Sequence, residues 1–253
     1  MYDTPDGIRK LHKQKIPLIG GFIILLNTIL IFIIDNTLLK LDLFYEFLTG
    51  VYLLIFAFIF FIFGFLDDKF DIKASSKLLI SSILFFLFLM PNNDFLINEL
   101  KFSFVENKLI FENVETKYFV TIFCFLVFQN ALNMFDGINL QCSLYSITFL
   151  VFLYYFDKNI IYLIFCLPLL FFSILNFKNI CFLGNNGVYL LSFVLSFFIL
   201  HIQQTNDSFY ADYIFILMAL PGIDMLRLFI LRVKNKKNPF QADKKHIHHV
   251  LTK

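Results

Sequence analysis

Apolar stretches separated by short polar ones run along nearly the whole chain. Eight of them approach the length a helix needs to cross a hydrocarbon layer, at 16–34, 48–66, 75–90, 118–135, 140–156, 160–177, 188–202 and 209–231. None alternates with the period of two that marks a barrel strand, and lipid admits only helices and closed barrels as spanning structures. The pattern therefore predicts an all-α integral membrane protein, a multi-pass bundle of about eight transmembrane helices forming a single domain over residues 1–253. The stretches at 75–90 and 188–202 are the short ones. Between them, "FLINELKFSFVENKLIFENVETKYF" alternates in part around Glu106 and Asn107, which predicts a small hairpin.

If the helices alternate in direction, the segments 1–15, 67–74, 136–139, 178–187 and 232–253 share one side of the bundle. Those segments carry most of the Lys and Arg residues, so the positive-inside rule makes that side cytoplasmic and puts both termini there. Composition agrees with a bilayer as the main solvent, at 59% hydrophobic and 16% charged residues. A net charge of +2 is too small to suggest a nucleic-acid partner. With 38 Phe and no Trp, the interfacial aromatic role falls to tyrosines such as Tyr52, Tyr118, Tyr189 and Tyr210. The four cysteines have no C-x-x-C spacing and read as reduced, structural thiols. The polar, basic first seventeen residues give no expectation of a cleavable signal peptide.

The conspicuous polar residues all fall at ends or loops assigned to the cytoplasmic side, which predicts one polar site built from several loops. In "GFLDDKF", Asp67 and Asp68 close a helix, where the negative end of the macrodipole disfavours carboxylates and calls for compensation by a divalent cation or by lysines. The plainer alternative is a solvated acidic turn balanced by Lys69 and Lys73. In "NALNMFDGIN", Asn130, Asn133 and Asp136 share one helix face, and interhelical hydrogen bonding is the alternative reading for the asparagines. "FLGNNG", taken alone, reads as an ordinary glycine-asparagine loop. Asp224 and Arg227, at i and i+3, can neutralise one another. His246, His248 and His249, beside Lys244 and Lys245, suit phosphate better than zinc, since no cysteine or fourth ligand lies near them. Carboxylates, lysines, an arginine and histidines pooled at a membrane surface point to phosphate chemistry with Mg²⁺, which binds through one or two carboxylates and substrate phosphate oxygens.

Taken in order, these segments resemble the polyprenyl-phosphate N-acetylhexosamine-1-phosphate transferases of glycosyltransferase family 4. "DTPDGIRKLHKQKIPLIGG" resembles the family's D-x-P-x-x-R-K-x-H and P-x-x-G-G opening, and "GFLDDKF" its G-x-x-D-D element. "NALNMFDGIN" is similar to N-x-x-N-x-x-D-G-x-D, "FLGNNG" to F-x-G-D-x-G, and "PGIDMLR" with "NPFQADKKHIHHVL" to the closing motifs of the branch that uses UDP-N-acetylglucosamine or a related UDP-sugar. The resemblance implies that undecaprenyl phosphate attacks the β-phosphorus of a UDP-N-acetylhexosamine at the cytoplasmic face of a bacterial inner membrane, releasing UMP and starting a lipid-linked envelope polysaccharide. It implies Asp67, Asp68 and Asp136 as catalytic residues. Asn130, Asn133, Lys77, Arg9, Lys10, His246, His248 and His249 are the implied substrate-binding residues. Mg²⁺, with Mn²⁺ as a substitute, would be held by Asp67, Asp68 and Asn185. The implied partners are the bilayer, undecaprenyl phosphate and the UDP-sugar, with a homodimer admissible.

Two positions depart from the family pattern: the aspartate of F-x-G-D-x-G is Asn185 here, and the second aspartate of D-G-x-D is Asn139. Asparagine keeps a carbonyl oxygen but not the charge that holds a hard cation, so weaker metal binding is expected. The chain also begins where the family has usually crossed the membrane once, so the expectation is either a missing first transmembrane helix or a misplaced start codon. The competing reading is a catalytically weakened relative that binds nucleotide-sugar or lipid phosphate. A transporter is disfavoured, because transport sites lie at mid-membrane depth.

Overall fold

The computed structural model describes residues 1–3 and 15–234. Arg9, Lys10, His246, His248 and His249 lie outside the described residues. Strand β1 (Tyr2–Asp3) pairs with β2 (Ile16–Pro17), and the chain then enters a helical bundle. Its helices are α1 (Gly20–Ile34), α2 (Phe47–Phe70), α3 (Ala74–Leu89), α4 (Val114–Phe135), α5 (Gln141–Asp157), α6 (Ile161–Phe177), α7 (Gly184–Thr205), α8 (Ala211–Leu217) and α9 (Ala219–Lys234). Between α3 and α4 stands a hairpin, β3 (Glu99–Phe102) with β4 (Val105–Ile110).

Each of the eight apolar stretches becomes helix. By length and composition four helices can cross a membrane, namely α1 extended to Leu39, α2, α4 and α7, and the bent pair α8 and α9 makes a fifth. Helices α3 and α6 are apolar but shorter, and α5 has 17 residues. The hairpin is present, with its turn at Ser103 and Phe104 and the alternating residues around Glu106 and Asn107 in β4. The eighth stretch is broken, the axes of α8 and α9 meeting at 68°. Pro221 explains the break: it has no N–H to give Leu217, and its ring would collide with that residue's carbonyl in a continuous helix.

The largest departure from expectation is α7. The short stretch at 188–202 is the centre of a 22-residue helix that absorbs "GNNG" as its first turn. Its side chains are buried almost all round, against α1, α2, α4 and α5. Phe193 sits between Phe60 and Phe88, with ring centroids 5.0 and 5.1 Å away. Lipid is as apolar as phenylalanine, so this packing is favoured by dispersion and close fit rather than by expulsion of water.

Close fit at the start of α7 depends on glycine. A Cβ on Gly64 of α2 would collide with the Asn185 carbonyl and stand 2.5 Å from the Asn186 Cα. A Cβ on Gly21 of α1 would collide with the Asn186 side chain and stand 2.5 Å from the Gly187 nitrogen. Gly64→Ala is expected to cost about 2 kcal/mol through overpacking. Gly222→Ala, at a position with nothing within 4 Å, should cost nothing. Thermal unfolding of the two detergent-purified variants beside the parent checks both expectations.

Candidate active site

Helix α2 ends with Asp67 and Asp68 in its last turn, and the chain turns away at Asp71, whose φ is 47°. The dipole argument requires something to compensate two carboxylates there, and the solvated turn balanced by Lys69 and Lys73 is not what forms. Asp67 is buried and pairs with Lys77 of α3, Nζ to Oδ2 2.9 Å. The same Oδ2 accepts the Tyr189 hydroxyl at 2.8 Å and the Asn185 side-chain amide at 2.9 Å. Oδ1 accepts the Ile72 backbone N–H at 3.0 Å.

Asp68 points across to α7. Its Oδ1 accepts the Asn185 backbone N–H at 2.9 Å, and its Oδ2 accepts the Asn186 backbone N–H at 3.2 Å and side-chain amide at 2.7 Å. The first backbone N–H groups of a helix have no partner within it, and a carboxylate beside them is favoured by the macrodipole. Asp68 thus caps α7 from another helix. "FLGNNG" is helical here because the cap comes through space, where local sequence cannot show it.

Asn133 of α4 donates to the Asn185 side-chain oxygen Oδ1 at 3.0 Å, which joins α4 to the cluster. Asp136 follows α4 as its C-terminal cap. Burial, and then the charge of Asp68, push its carboxyl up to about 7, so it exchanges its proton near neutrality. The structure therefore brings Asp67, Asp68, Lys77, Asn133 and Asn185 into contact, with Asp136 within electrostatic reach.

Two residues fall elsewhere. Asn130 donates to the Leu126 carbonyl of its own helix at 2.7 Å. Asn139 donates to the Asn176 carbonyl at 2.9 Å and to Asn179 Oδ1 at 2.8 Å, tying the α4–α5 loop to the α6–α7 loop. Asn176 in turn accepts the N–H of Leu140, whose φ is 69°. Asn139 therefore acts as a loop tie, and its lost charge is not a loss from the carboxylate cluster. Tyr189 was expected at the membrane interface and is instead buried with its hydroxyl on Asp67. The signal available in the sequence was its spacing, four residues beyond Asn185 and so on the same helix face. The i, i+3 pairing of Asp224 and Arg227 forms as expected, at 2.8 Å.

A groove of about 380 Å³ is lined by Phe135, Gln141, Tyr145, Leu217 and Leu220 among others, Phe135 being the residue before Asp136. Two buried atoms on its wall, Gln141 Oε1 and Tyr145 Oη, have no hydrogen-bond partner among the described residues. The carboxylate cluster thus lies where α2, α3, α4 and α7 meet, at one end of a membrane-type bundle.

The chain belongs to glycosyl transferase family 4, whose model matches residues 50–203, and that family makes it a transferase. The chain is 27% identical over 266 residues to an undecaprenyl-phosphate alpha-N-acetylglucosaminyl 1-phosphate transferase from Escherichia coli O157:H7, covering 99% of this chain and 69% of that one. It is 29% identical over 259 residues to the transferase of the same name from Thermotoga maritima, covering 99% and 72%.

The ion pair yields a test of the cluster. Lys77→Met leaves Asp67 buried and uncompensated and should destabilise by about 3 kcal/mol. Adding Asp67→Asn should recover most of that loss, because the two residues are coupled. Thermal unfolding of the two single variants and the double variant measures it; additive losses would show that the pair is not coupled.

Proposed function

We propose that this chain transfers an N-acetylhexosamine-1-phosphate group from a UDP-sugar to undecaprenyl phosphate and releases UMP, at the cytoplasmic face of a bacterial inner membrane. The observation that carries the reading is the Asp67–Asp68 pair, set between an ammonium and a helix N-terminus at the end of a membrane helix. Membership of glycosyl transferase family 4 and the names of the relatives support it.

In the proposed reaction an oxygen of the lipid phosphate bonds to the β-phosphorus of the UDP-sugar. The bond from that phosphorus to the bridging oxygen breaks, and UMP leaves with the electron pair. The lipid phosphate is already largely ionised near neutral pH, so the main demands on the protein are alignment and charge control. The groove beside Phe135, the residue next to Asp136, suits the prenyl chain. Lys77 pairs with Asp67 and holds it in place, and Asp68 fixes the start of α7 against α2. Asn133 and Asn185 supply a neutral polar wall that does not repel the diphosphate.

Of the three residues expected to ligate Mg²⁺, Asp67 is fully buried and Asn185 has its amide oxygen taken by Asn133, which leaves the half-buried Asp68, with one donor on Oδ1. Asp136, whose side chain meets no hydrogen-bond partner among the described residues, is the natural second ligand. Bound there, the cation would neutralise charge on the diphosphate.

Purified protein given undecaprenyl phosphate, UDP-N-acetylglucosamine and Mg²⁺ should release UMP only when the lipid is present. Asp136→Asn should lower kcat by about a hundredfold or more while the protein stays folded. Absence of UMP release from folded protein across several UDP-sugars would favour the weakened-relative reading.

A further inference from the structure

The donors around Asp67 leave no position for a cation at Oδ2, and Oδ1 takes the Ile72 N–H on a side chain that is fully buried. Oδ2 accepts three hydrogen bonds at 2.8 to 2.9 Å, from Lys77, Asn185 and Tyr189. Three donors exhaust the capacity of one carboxylate oxygen, and one of them already carries a full positive charge. A metal ion at Oδ2 would have to displace a donor and sit beside the Lys77 ammonium. Asn185 is also turned the wrong way for a ligand. An ionised carboxylate only accepts, so the amide nitrogen faces Asp67, and the amide oxygen is taken by Asn133 at 3.0 Å. The direction of donation therefore runs from Asn133 to Asn185 to Asp67.

Tyr189 completes this arrangement. It stands one helical turn beyond Asn185, is buried, and has its ring stacked on Phe63 at 5.1 Å, so its hydroxyl is held on Asp67 by a rigid face of α7. A carboxylate at position 185 would replace a donor to Asp67 by a like charge, and the repulsion would have to be relieved by Lys77, a shared proton or a bound cation. The asparagine removes that need.

We propose that Asn185 and Tyr189 are positioning residues that clamp Asp67 by hydrogen bonds alone, so that neither Asp67 nor Asn185 ligates a cation and any bound divalent ion falls to Asp68 and Asp136. The activity arm of the test rests on the proposed transferase reaction; the cation-binding arm does not.

Mn²⁺, followed by electron paramagnetic resonance on the purified full-length chain, is the probe. Asp67→Asn and Asn185→Ala should bind Mn²⁺ within about twofold of the parent, and Asp68→Asn about tenfold more weakly. Asn185→Asp, which sets two carboxylates face to face, should unfold at lower temperature in chelator and gain Mn²⁺ affinity by about tenfold or more. A variant N185D that folds only when Mn²⁺ is present, or a parent with no measurable Mn²⁺ beside an N185D that binds it, supports the clamp equally. Loss of Mn²⁺ binding in Asp67→Asn or Asn185→Ala overturns it, as does an N185D that neither gains Mn²⁺ nor loses stability in chelator. For Tyr189→Phe, UMP release should show kcat down about tenfold with KM for the UDP-sugar within about twofold. Wild-type kcat in folded Y189F overturns the positioning role. A parent without turnover would count against the transferase reading, while the Mn²⁺ comparison would still decide the clamp.

Discussion

Everything at the polar end of this bundle depends on how two adjacent carboxylates on α2 meet the first turn of α7. Asp67 takes side-chain donors from α3 and α7, and Asp68 takes the free backbone donors of α7 itself. One short stretch of α2 thereby fixes three helices relative to each other. The arrangement also resolves an electrostatic conflict, since acidic groups sit at the unfavourable end of α2 and at the favourable end of α7. Lys77 supplies the remaining compensation.

The apolar part of the structure serves this contact. Gly21 and Gly64 bring α1 and α2 to van der Waals limits against residues 185–187, and the aromatic packing around Phe193 holds α7 in the middle of the bundle. In a bilayer, helix association relies on such close approach and on buried hydrogen bonds, because apolar surface gains little by leaving lipid for protein. The same approach of backbones that packs the helices makes the N–H groups of Asn185 and Asn186 reachable by Asp68. Packing and site are one feature seen from two sides.

Hydropathy made the helices legible because the length of an apolar run is a local property. It located all eight segments, and alternation located the hairpin to within a few residues. It missed the break at Pro221, where the run stays apolar while the backbone cannot stay straight. It also stopped α7 short, because "GNNG" is helical only with Asp68 in front of it, and Asp68 is more than a hundred residues away in sequence. The polar residues of the site were legible as types and motifs, and their membership in glycosyl transferase family 4 follows from them. Their partners were not. Asp67 and Asn185 look like metal ligands when read singly, yet each is engaged by protein donors once the helices are assembled. Tyr189 passed for an interfacial aromatic because hydropathy cannot tell a tyrosine facing the headgroups from one whose hydroxyl meets a buried carboxylate.

The central claim is that Asp68 caps α7 through space, and amide hydrogen exchange tests it most directly. Exchange at residues 184–188 should be slow in the parent and faster by about tenfold or more in Asp68→Ala, while the middle of α7 keeps its protection. Unchanged exchange in that first turn would contradict the account, because the start of α7 would then be holding itself without the carboxylate.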